Sequence, residues 1–256
     1  MADEVLFTQE GQVGIITINK PRANQLSHGV FEGMRQILYK CEKDRDIRAL
    51  VITGSGEKIF SAGADLSSGF GDFDAVDFLK RGQDLWNKVE DFPKPVVAAL
   101  NGHALGGGCE LALACHFRIM KKGARMGLTE TNLGIMPGYG GTMRLQRYIG
   151  PAKALEYILL GVEIDAESAL DFGLANYLAE EGKTLEDSLA FAARLAARPP
   201  LAVSAVLKTY SEGRSLSPEM LLKMEREKLA ALFSSKDAME GIGAFMEKRP
   251  PVFKGE

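Results

Sequence analysis

Apolar side chains follow two different spacings along the first half of the chain. Residues 4–9 and 12–18 alternate apolar and polar positions around a Glu10-Gly11 turn, which predicts a β-hairpin. Residues 27–43 and 75–92 instead repeat apolar positions at helical spacing. Continuous apolar runs that predict buried strands lie at 49–54, 96–100 and 117–122. Because strands and helices alternate, the pattern indicates an α/β fold with parallel strands and crossover helices.

Beyond residue 140 the pattern is mainly helical. Three short helical segments end at Gly150, Gly161 and Gly173, each placed as a helix C-cap. Further helical patterns lie at 184–197, 200–211, 217–233 and 236–247. We therefore expect residues 1–196 to form the α/β core and residues 197–256 a C-terminal helical portion. That portion is too thin to bury its own apolar faces, so we expect it to pack on the core or on another subunit.

Composition narrows the class of protein. The 256 residues are 46% hydrophobic and 25% charged, with a net charge of −3, which suits a soluble domain and offers no basic surface for nucleic acid. No apolar run reaches the ~18 residues of a membrane span, and no basic leader precedes the first strand. The three cysteines are odd in number and lack metal-ligand spacing, which indicates reduced core residues. We expect a cytoplasmic protein with no metal, nucleic-acid or membrane partner.

Two loops of small residues follow predicted strands. IFSAGADL (59–66) comes after the strand 49–54, and NGHALGGGCE (101–110) comes after the strand 96–100. Small residues there let backbone N–H groups approach a ligand closely, at the strand edge where open α/β sheets bind ligands. For either loop alone, tight turns would explain the glycines equally well.

The second loop brings a carboxylate to a helix N-terminus. If a helix begins near Gly107, its first N–H groups lack intrahelical acceptors and the helix dipole adds positive potential. Glu110 lies on the same face of the first turn. Glutamate in a first turn is ordinary helix chemistry, but every other side chain from 104 to 115 is apolar or glycine. Because an unpaired buried carboxylate is costly, this setting favours a functional role for Glu110.

Glu130 is a second carboxylate in a similar setting. It lies in ARMGLTETNLGIMPGYGG (124–141), which predicts a short strand, a turn and a third glycine-rich loop. Alone, one of 34 acidic residues is usually solvated surface. Two carboxylates in one poorly solvated site should have pKa values that are pushed apart, which gives one acid and one base.

Four segments together resemble the crotonase family of enoyl-CoA hydratases and isomerases. They are FSAGADL, PKPVVAALNGHALGGGCELALAC, LTETNLGIMPGYGGTMRL and EGIGAFMEKRPPVFKG, and they span nearly the whole chain. The resemblance implies a spiral of ββα units with a C-terminal helical trimerisation portion. It also implies a coenzyme A thioester as substrate, with CoA entering as the acyl carrier and no separate cofactor. Homotrimers or dimers of trimers are expected by the same analogy.

The resemblance also implies roles for individual residues. The backbone N–H groups of Ala64 and Gly107 match an oxyanion hole that holds the thioester oxygen. Glu110 and Glu130 match the pair that adds water across the double bond, and the Gly138 N–H matches a group that places this water. The positions that match CoA-binding residues are Ala23, Ala62, Ala64, Asp65, Leu66, Phe245 and Lys248, of which Phe245 and Lys248 reach CoA from a neighbouring subunit.

The chain departs from the family pattern at four places. The loop 21–29 is one residue shorter and carries Gln25-Leu26-Ser27, and Leu128-Thr129 replaces Gln-Pro before Glu130. Tyr139 replaces a small residue in PGxGG, and the segment 67–78, which usually shapes the acyl pocket, differs from the standard version. These changes leave open an unusual acyl group or a reaction other than simple hydration.

Other chemistries fit the sequence less well. It has no GxSxG nucleophile elbow, and Cys109 lacks a basic neighbour to lower its pKa. The histidines, which we expect to be structural, are His28, His103 and His116. The sequence thus predicts a hydratase that converts a trans-2-enoyl-CoA to a 3-hydroxyacyl-CoA. A Δ3,Δ2-enoyl-CoA isomerase or another enolate-forming enzyme is the first alternative, and a non-catalytic CoA-ester-binding scaffold is the second.

Overall fold

The computed structural model describes residues 4–65 and 74–256. The strands are β1 (Val5–Glu10), β2 (Val13–Ile18), β3 (Ala49–Gly54), β4 (Ile59–Ser61), β5 (Val96–Leu100), β6 (His103–Leu105), β7 (Phe117–Lys121), β8 (Arg125–Gly127), β9 (Ile164–Asp165) and β10 (Tyr177–Ala179). The helices are α1 (His28–Lys43), α2 (Ala75–Glu90), α3 (Gly107–Ala114), α4 (Gly141–Ile149), α5 (Pro151–Leu160), α6 (Ala166–Asp171), α7 (Thr184–Ala196), α8 (Pro200–Glu212), α9 (Pro218–Leu232) and α10 (Lys236–Glu247). Two 3-10 helices lie at Glu130–Leu133 and Gly213–Ser215.

The strands form two sheets. The larger has the order β1-β2-β3-β5-β7-β10, in which only the β1–β2 hairpin pairs antiparallel. The smaller has the order β4-β6-β8-β9, with β4, β6 and β8 parallel. The hairpin, the parallel strands and the helices expected from apolar spacing are therefore confirmed.

Each central strand of the large sheet continues into a strand of the small one. β3 leads to β4, β5 to β6 and β7 to β8, and the helices α2 and α3 and the 3-10 helix at Glu130 follow in turn. This repetition is the spiral of ββα units that the resemblance implied. The three-residue strands β4 and β6 carry no period of their own, so the spacing of apolar residues did not predict them.

The central strands of the large sheet are buried on both faces. Every residue of β3 and β5 is buried, as expected for parallel strands between helices. Leu50 and Ile52 belong to the core cluster that contains Trp86 of α2, whereas Val51 points to the opposite face and packs with Ala192 of α7.

The C-terminal helices differ from the rest of the molecule. α8 and α9 contain no buried residue, and α10 buries only Asp237 and Ala244. Among the described residues no single helix is long and apolar enough to cross a membrane. The pair Thr184–Ala196 and Pro200–Ser215 passes that test of length and composition only when joined across a 105° bend.

Candidate active site

The loop after β4 pairs with the loop before α1. The Ala62 N–H donates to the Ala23 carbonyl at 2.9 Å, so these two predicted CoA-binding residues lie together. Leu26 forms a parallel bridge with Ala64, donating to the Gly63 carbonyl and accepting from the Asp65 N–H. Because the bonds of Leu26 go to residues 63 and 65, the N–H of Ala64 itself points away from Leu26.

The same loop touches the start of α3, which begins at Gly107 as expected. A Cβ on Gly63 would lie 2.9 Å from the Gly107 nitrogen and 3.0 Å from the Leu105 carbonyl oxygen. Gly63 also has φ +91°, so a glycine is required on both grounds. The structure therefore places the backbone of residues 63–64 beside the first N–H of α3, an arrangement that can hold a carbonyl oxygen between two donors.

Arg118 of β7 closes the other end of α3. Its buried guanidinium donates from Nη1 to the carbonyls of Ala112 and Cys115, at 3.1 and 2.7 Å. Carbonyls at a helix C-terminus lack intrahelical donors, and a cation there is favoured by the helix dipole. This contact fixes the helix whose N-terminus faces the loop.

Glu110 is buried in the first turn of α3, with 1% of its surface exposed. Its Oε1 accepts two backbone hydrogen bonds from the glycine-rich loop before α4, from the Tyr139 N–H at 2.7 Å and the Gly141 N–H at 2.8 Å. A Cβ on Gly141 would lie 2.9 Å from the Glu110 Cγ, so this residue must lack a side chain for the loop to close on the carboxylate.

Glu130 begins the 3-10 helix and faces the loop between β6 and α3. A Cβ on Gly106 would lie 3.5 Å from the Glu130 Oε1, and Gly106 has φ +52°. The Glu130 Oε2 is buried and has no hydrogen-bond partner among the described residues. A buried, unpaired carboxylate oxygen is costly, which points to a donor that belongs to a ligand or to water.

Both carboxyls are destabilised as anions. Burial, as the largest cause, raises the pKa of Glu110 to about 7, and the nearby Glu130 charge adds to this while the N–H groups of Gly141 and Tyr139 oppose it. Burial also raises the pKa of Glu130. Near neutral pH the site can therefore hold one proton and one negative charge, as required for acid and base chemistry at one place.

The remaining predicted residues of the first loop and the PGxGG loop are placed as follows. Asp65 is buried and its Oδ2 lies 2.5 Å from the Lys20 Nζ. The Gly138 carbonyl accepts from the Gln83 Nε2 at 2.8 Å. The N–H groups that donate to Glu110 belong to Tyr139 and Gly141, not to Gly138. Leu66 and most of the segment 67–78 lie outside the described residues. The roles suggested for these positions stay predictions.

Phe245 and Lys248 lie on and just after α10. The Phe245 side chain is 84% exposed, and Lys248 ends the helix with φ +57°. No hydrogen bond joins either residue to the loops 62–65 or 105–110 within the described part of the chain. One subunit thus leaves both residues available to another, and their role in CoA binding stays a prediction.

Two departures from the family pattern have a packing explanation. The Tyr139 ring is buried against Phe31 and Trp86, with centroids 5.6 and 6.3 Å away. It fills the space left by Gly82, where a Cβ would lie 2.3 Å from the ring. Leu128 packs on the other side of the same loop, its methyl groups 2.8 and 2.9 Å from the position of a Cβ on Gly141.

The three cysteines are free and buried, as the sequence suggested, and two of the three histidines accept hydrogen bonds from the backbone. His116 accepts from the Val96 N–H at 2.9 Å, and burial lowers its pKa to about 4. His103 accepts from the Arg125 N–H at 3.2 Å, and His28 begins α1. Burial raises the pKa of the Cys109 thiol well above its usual value, so this residue lacks the thiolate that a nucleophile needs. No group of three metal-ligating side chains occurs in the described ranges.

Sequence reasoning missed the support behind Glu110. Arg144, in the first turn of α4, is 1% exposed and donates to the Tyr139 carbonyl at 2.8 Å. A cation near a helix N-terminus is disfavoured by the helix dipole. An arginine in the first turn of a predicted helix was therefore the sequence signal that could have identified Arg144 as a residue with a specific partner.

Comparisons with known proteins agree over nearly the whole chain. The family model described as enoyl-CoA hydratase/isomerase matches residues 8–256. A probable enoyl-CoA hydratase of Bacillus subtilis is 45% identical, covering 95% of this chain and 96% of its own. A short-chain-enoyl-CoA hydratase of Clostridium acetobutylicum is 36% identical, covering 96% of each. The crystal structure of an enoyl-CoA hydratase from Bacillus anthracis superposes with a TM-score of 0.95 at 38% identity, covering 99% of this chain and 100% of that one.

Proposed function

The chain is an enzyme of the enoyl-CoA hydratase/isomerase family, and we propose that it catalyses the reversible syn addition of water to a trans-2-enoyl-CoA. The observation that carries the proposal is the pair of buried carboxylates, Glu110 and Glu130, that lie near each other at the start of α3. A hydratase needs both a base for the water and an acid for the α-carbon, and two carboxyls of raised pKa supply them.

The thioester carbonyl oxygen binds between the N–H groups of Ala64 and Gly107. When water adds at C3, the electron pair of the double bond moves toward this oxygen and gives an enolate. The two N–H groups and the dipole of α3 stabilise that charge more than they stabilise the neutral thioester, so they lower the barrier.

The carboxyls carry the protons. Glu110, whose anion accepts two N–H bonds, takes a proton from water as the oxygen bonds to C3. Glu130, whose Oε2 has no donor among the described residues, gives its proton to C2 as the enolate collapses. One water is consumed, one C–O and one C–H bond form, and the proton passes between the two carboxyls before the next turnover.

The CoA moiety and the oligomer belong to the same proposal. The pair Ala23 and Ala62 forms the wall on which the adenine end rests, and Phe245 and Lys248 of another subunit close it. Exposed apolar side chains on α8–α10 support a homo-oligomer, a trimer or a dimer of trimers, because one chain leaves them unburied. The Clostridium relative is named for short acyl chains, which makes crotonyl-CoA the first substrate to test.

The test is the loss of enoyl-thioester absorbance of crotonyl-CoA with the wild type and the variants Glu110→Gln and Glu130→Gln. Each variant keeps the shape of the carboxyl and removes its proton chemistry, so we expect kcat to fall by about 10²–10⁴-fold in both. Glu10→Gln in the β1–β2 hairpin is the control, since this side chain is exposed and lies at the end of β1, next to the turn.

The outcomes separate the alternatives. If only one glutamate matters and a 3-enoyl-CoA is converted faster than crotonyl-CoA is hydrated, the chain is an isomerase. If the wild type binds acyl-CoA without turning over any linear, branched, cyclic or aryl enoyl-CoA in a substrate panel, it is a binding scaffold and the hydratase proposal is wrong.

A further inference from the structure

Arg144 occupies an unusual place for a buried cation. It lies in the first turn of α4, where the unpaired N–H groups of the helix already carry positive potential, and 1% of its surface is exposed. An unpaired cation there would be destabilising on two counts, because burial and the helix dipole both oppose it. The contacts of its guanidinium explain why it is tolerated.

One side of the guanidinium holds the loop that binds Glu110. The Arg144 Nη1 donates to the Tyr139 carbonyl at 2.8 Å, and the Tyr139 N–H donates to the Glu110 Oε1. Gly140 follows Tyr139 and has φ +94°. A Cβ on Gly140 would be 2.4 Å from the Arg144 Nη1. The guanidinium is therefore in direct contact with the turn whose N–H groups bind the carboxylate.

The other side of the guanidinium is tied to the last turn of α2. The Arg144 Nε donates to the Glu90 Oε2 at 3.0 Å, and Nη2 donates to the Asn87 Oδ1 at 2.7 Å. Asn87 and Glu90 are three residues apart on one helix face, which suits the planar fork of arginine. Arg144 thus anchors the loop whose N–H groups bind Glu110 to helix α2.

Glu90 does not depend on Arg144 alone. Its Oε1 also accepts from Arg147 of α4 at 3.1 Å and from Arg214 of the second 3-10 helix. Removing the Arg144 side chain therefore leaves Glu90 paired with two cations, so its loss does not strand a buried charge. Arg147 is the control on the same helix. It also donates to Glu90, but none of the contacts described joins it to the loop that binds Glu110.

We propose that Arg144 is a positioning residue for Glu110, fixing through the Tyr139 carbonyl the two N–H groups that aim the carboxylate at the reacting water. The proposal rests on the hydratase function proposed above. Arg144 acts through the loop that it bonds and is not itself a catalytic residue. A misplacement of the loop by about 1 Å costs about 100-fold in rate by analogy with other positioned groups.

The charge of Arg144 gives a readout that a purely structural role does not have. The titratable and charged groups that face Glu110 are Glu130, Arg144, Tyr139 and Cys109. Arg144 supplies the positive charge in this set and lowers the pKa of Glu110, while the Glu130 charge raises it. Its removal should therefore move the acidic limb of the kcat profile to higher pH.

The experiment compares Arg144→Met, Arg144→Lys and Arg147→Met in the full-length enzyme with crotonyl-CoA. For Arg144→Met we expect kcat to fall about 100-fold with KM little changed, and the acidic limb to move to higher pH. Arg144→Lys keeps the positive charge but cannot make all the hydrogen bonds of the guanidinium. The acidic limb of the kcat profile should therefore stay at the wild-type pH, and kcat should fall less than in Arg144→Met. Arg147→Met should match the wild type.

The outcomes are distinct from those that test the hydratase function. If the wild type hydrates enoyl-CoA and Arg144→Met equals Arg147→Met in kcat and in its pH limb, the positioning role is wrong. A loss of kcat that is equal at all pH values in Arg144→Met would also overturn it. If Arg144→Met does not fold, Arg144→Lys against Arg147→Lys decides, and an unchanged kcat in Arg144→Lys contradicts the proposal.

Discussion

Helix α3 and the helices α8–α10 are both rich in apolar side chains but have opposite surroundings. All eight residues of α3 are buried, the glutamate included. α8 and α9 bury none, and α10 exposes 84% of Phe245 and 75% of Met246. The difference follows from what surrounds each helix, because α3 packs against α2, α4 and the strands β4 and β6, whereas α8–α10 follow the last strand of the large sheet.

Glycines show the same contrast at atomic scale. A Cβ on Gly108 of α3 would lie 2.3 Å from the Ser61 carbonyl oxygen, whereas a Cβ on Gly243 of α10 would meet no described atom within 4 Å. Helix α3 therefore uses glycine to bring backbone against backbone, and α10 has no such need within one chain. Helix α3 is buried within one chain, whereas the C-terminal helices leave apolar side chains exposed.

Among the effects that follow from this contrast, the largest should come from removing a donor at the start of α3. Gly107→Pro keeps a helical φ and deletes the N–H, so we expect the barrier to rise by about 2.7–4 kcal/mol, measured as kcat with crotonyl-CoA. Gly107→Ala is the control, because it keeps the N–H and places its Cβ 3.1 Å from the flexible Leu26 Cδ1. An equal loss in both variants would show that packing, and not the N–H, is responsible.

The second effect concerns the cost of burying Glu110. Because its pKa is raised from 4.5 to about 7, the folded state binds a proton that the unfolded state has released, so stability falls as pH rises through about 7. Glu110→Gln keeps the acceptor oxygen and removes the charge. It should be more stable than the wild type by about 3 kcal/mol at pH 8 and equal to it near pH 4.5.

Urea unfolding of Glu110→Gln at the two pH values is the measurement. Glu225→Gln on α9, where the side chain is exposed, serves as the control and should show no pH-dependent gain. A variant that is less stable than the wild type at pH 8 would contradict the burial cost.

The third effect is a matched pair of glycine substitutions in the two helices. Gly108→Ala forces a methyl group against the Ser61 backbone, so we expect a loss of about 2–3 kcal/mol in the free energy of unfolding. Gly243→Ala enters open space in a helix interior, where alanine is favoured, so we expect a gain of about 0.5–1 kcal/mol. Thermal unfolding of both variants tests the contrast, and effects of the same sign would refute it.

The smallest effect should appear in assembly. If another subunit covers α10, Phe245→Ser removes a buried ring at the contact and weakens association by about 1.5 kcal/mol. Sedimentation at several concentrations should show more monomer than for the wild type. Tyr39→Ser, which removes an exposed aromatic of α1, is the control and should leave assembly unchanged. A wild type that is monomeric at every concentration would remove the basis of this prediction.

The sequence predicted the elements well where the signal is local. Helices of ten residues or more and strands of five or six carry enough apolar positions to define a period, and α1, β3 and β5 lie where expected. The start of α3 was predictable too, because three glycines before an apolar run indicate where a helix begins. The strands β4, β6 and β9, of two or three residues, have no period and were not predicted, whereas the short strand before Glu130 was expected and is β8.

The apolar surroundings of the two candidate glutamates were also predictable, but the hydrogen bonds and packing contacts between distant segments of the site were not. Glu110 and Glu130 were expected to lie in apolar surroundings, and they do. No pattern in the sequence predicted that the Tyr139 and Gly141 N–H groups would bind Glu110, or that Tyr139 would pack against Gly82. These contacts join residues 29 or more positions apart, so they depend on how distant elements pack.

The chain's own residues therefore determined where helices and strands form and which carboxylates are surrounded by apolar neighbours, because both depend on spacing within a few residues. Only the tertiary structure decided which backbone groups hold Glu110, and which carboxylate balances the buried charge of Arg144. Hydrogen bonds are short and directional, so they form only when packing has brought distant elements to within about 3 Å.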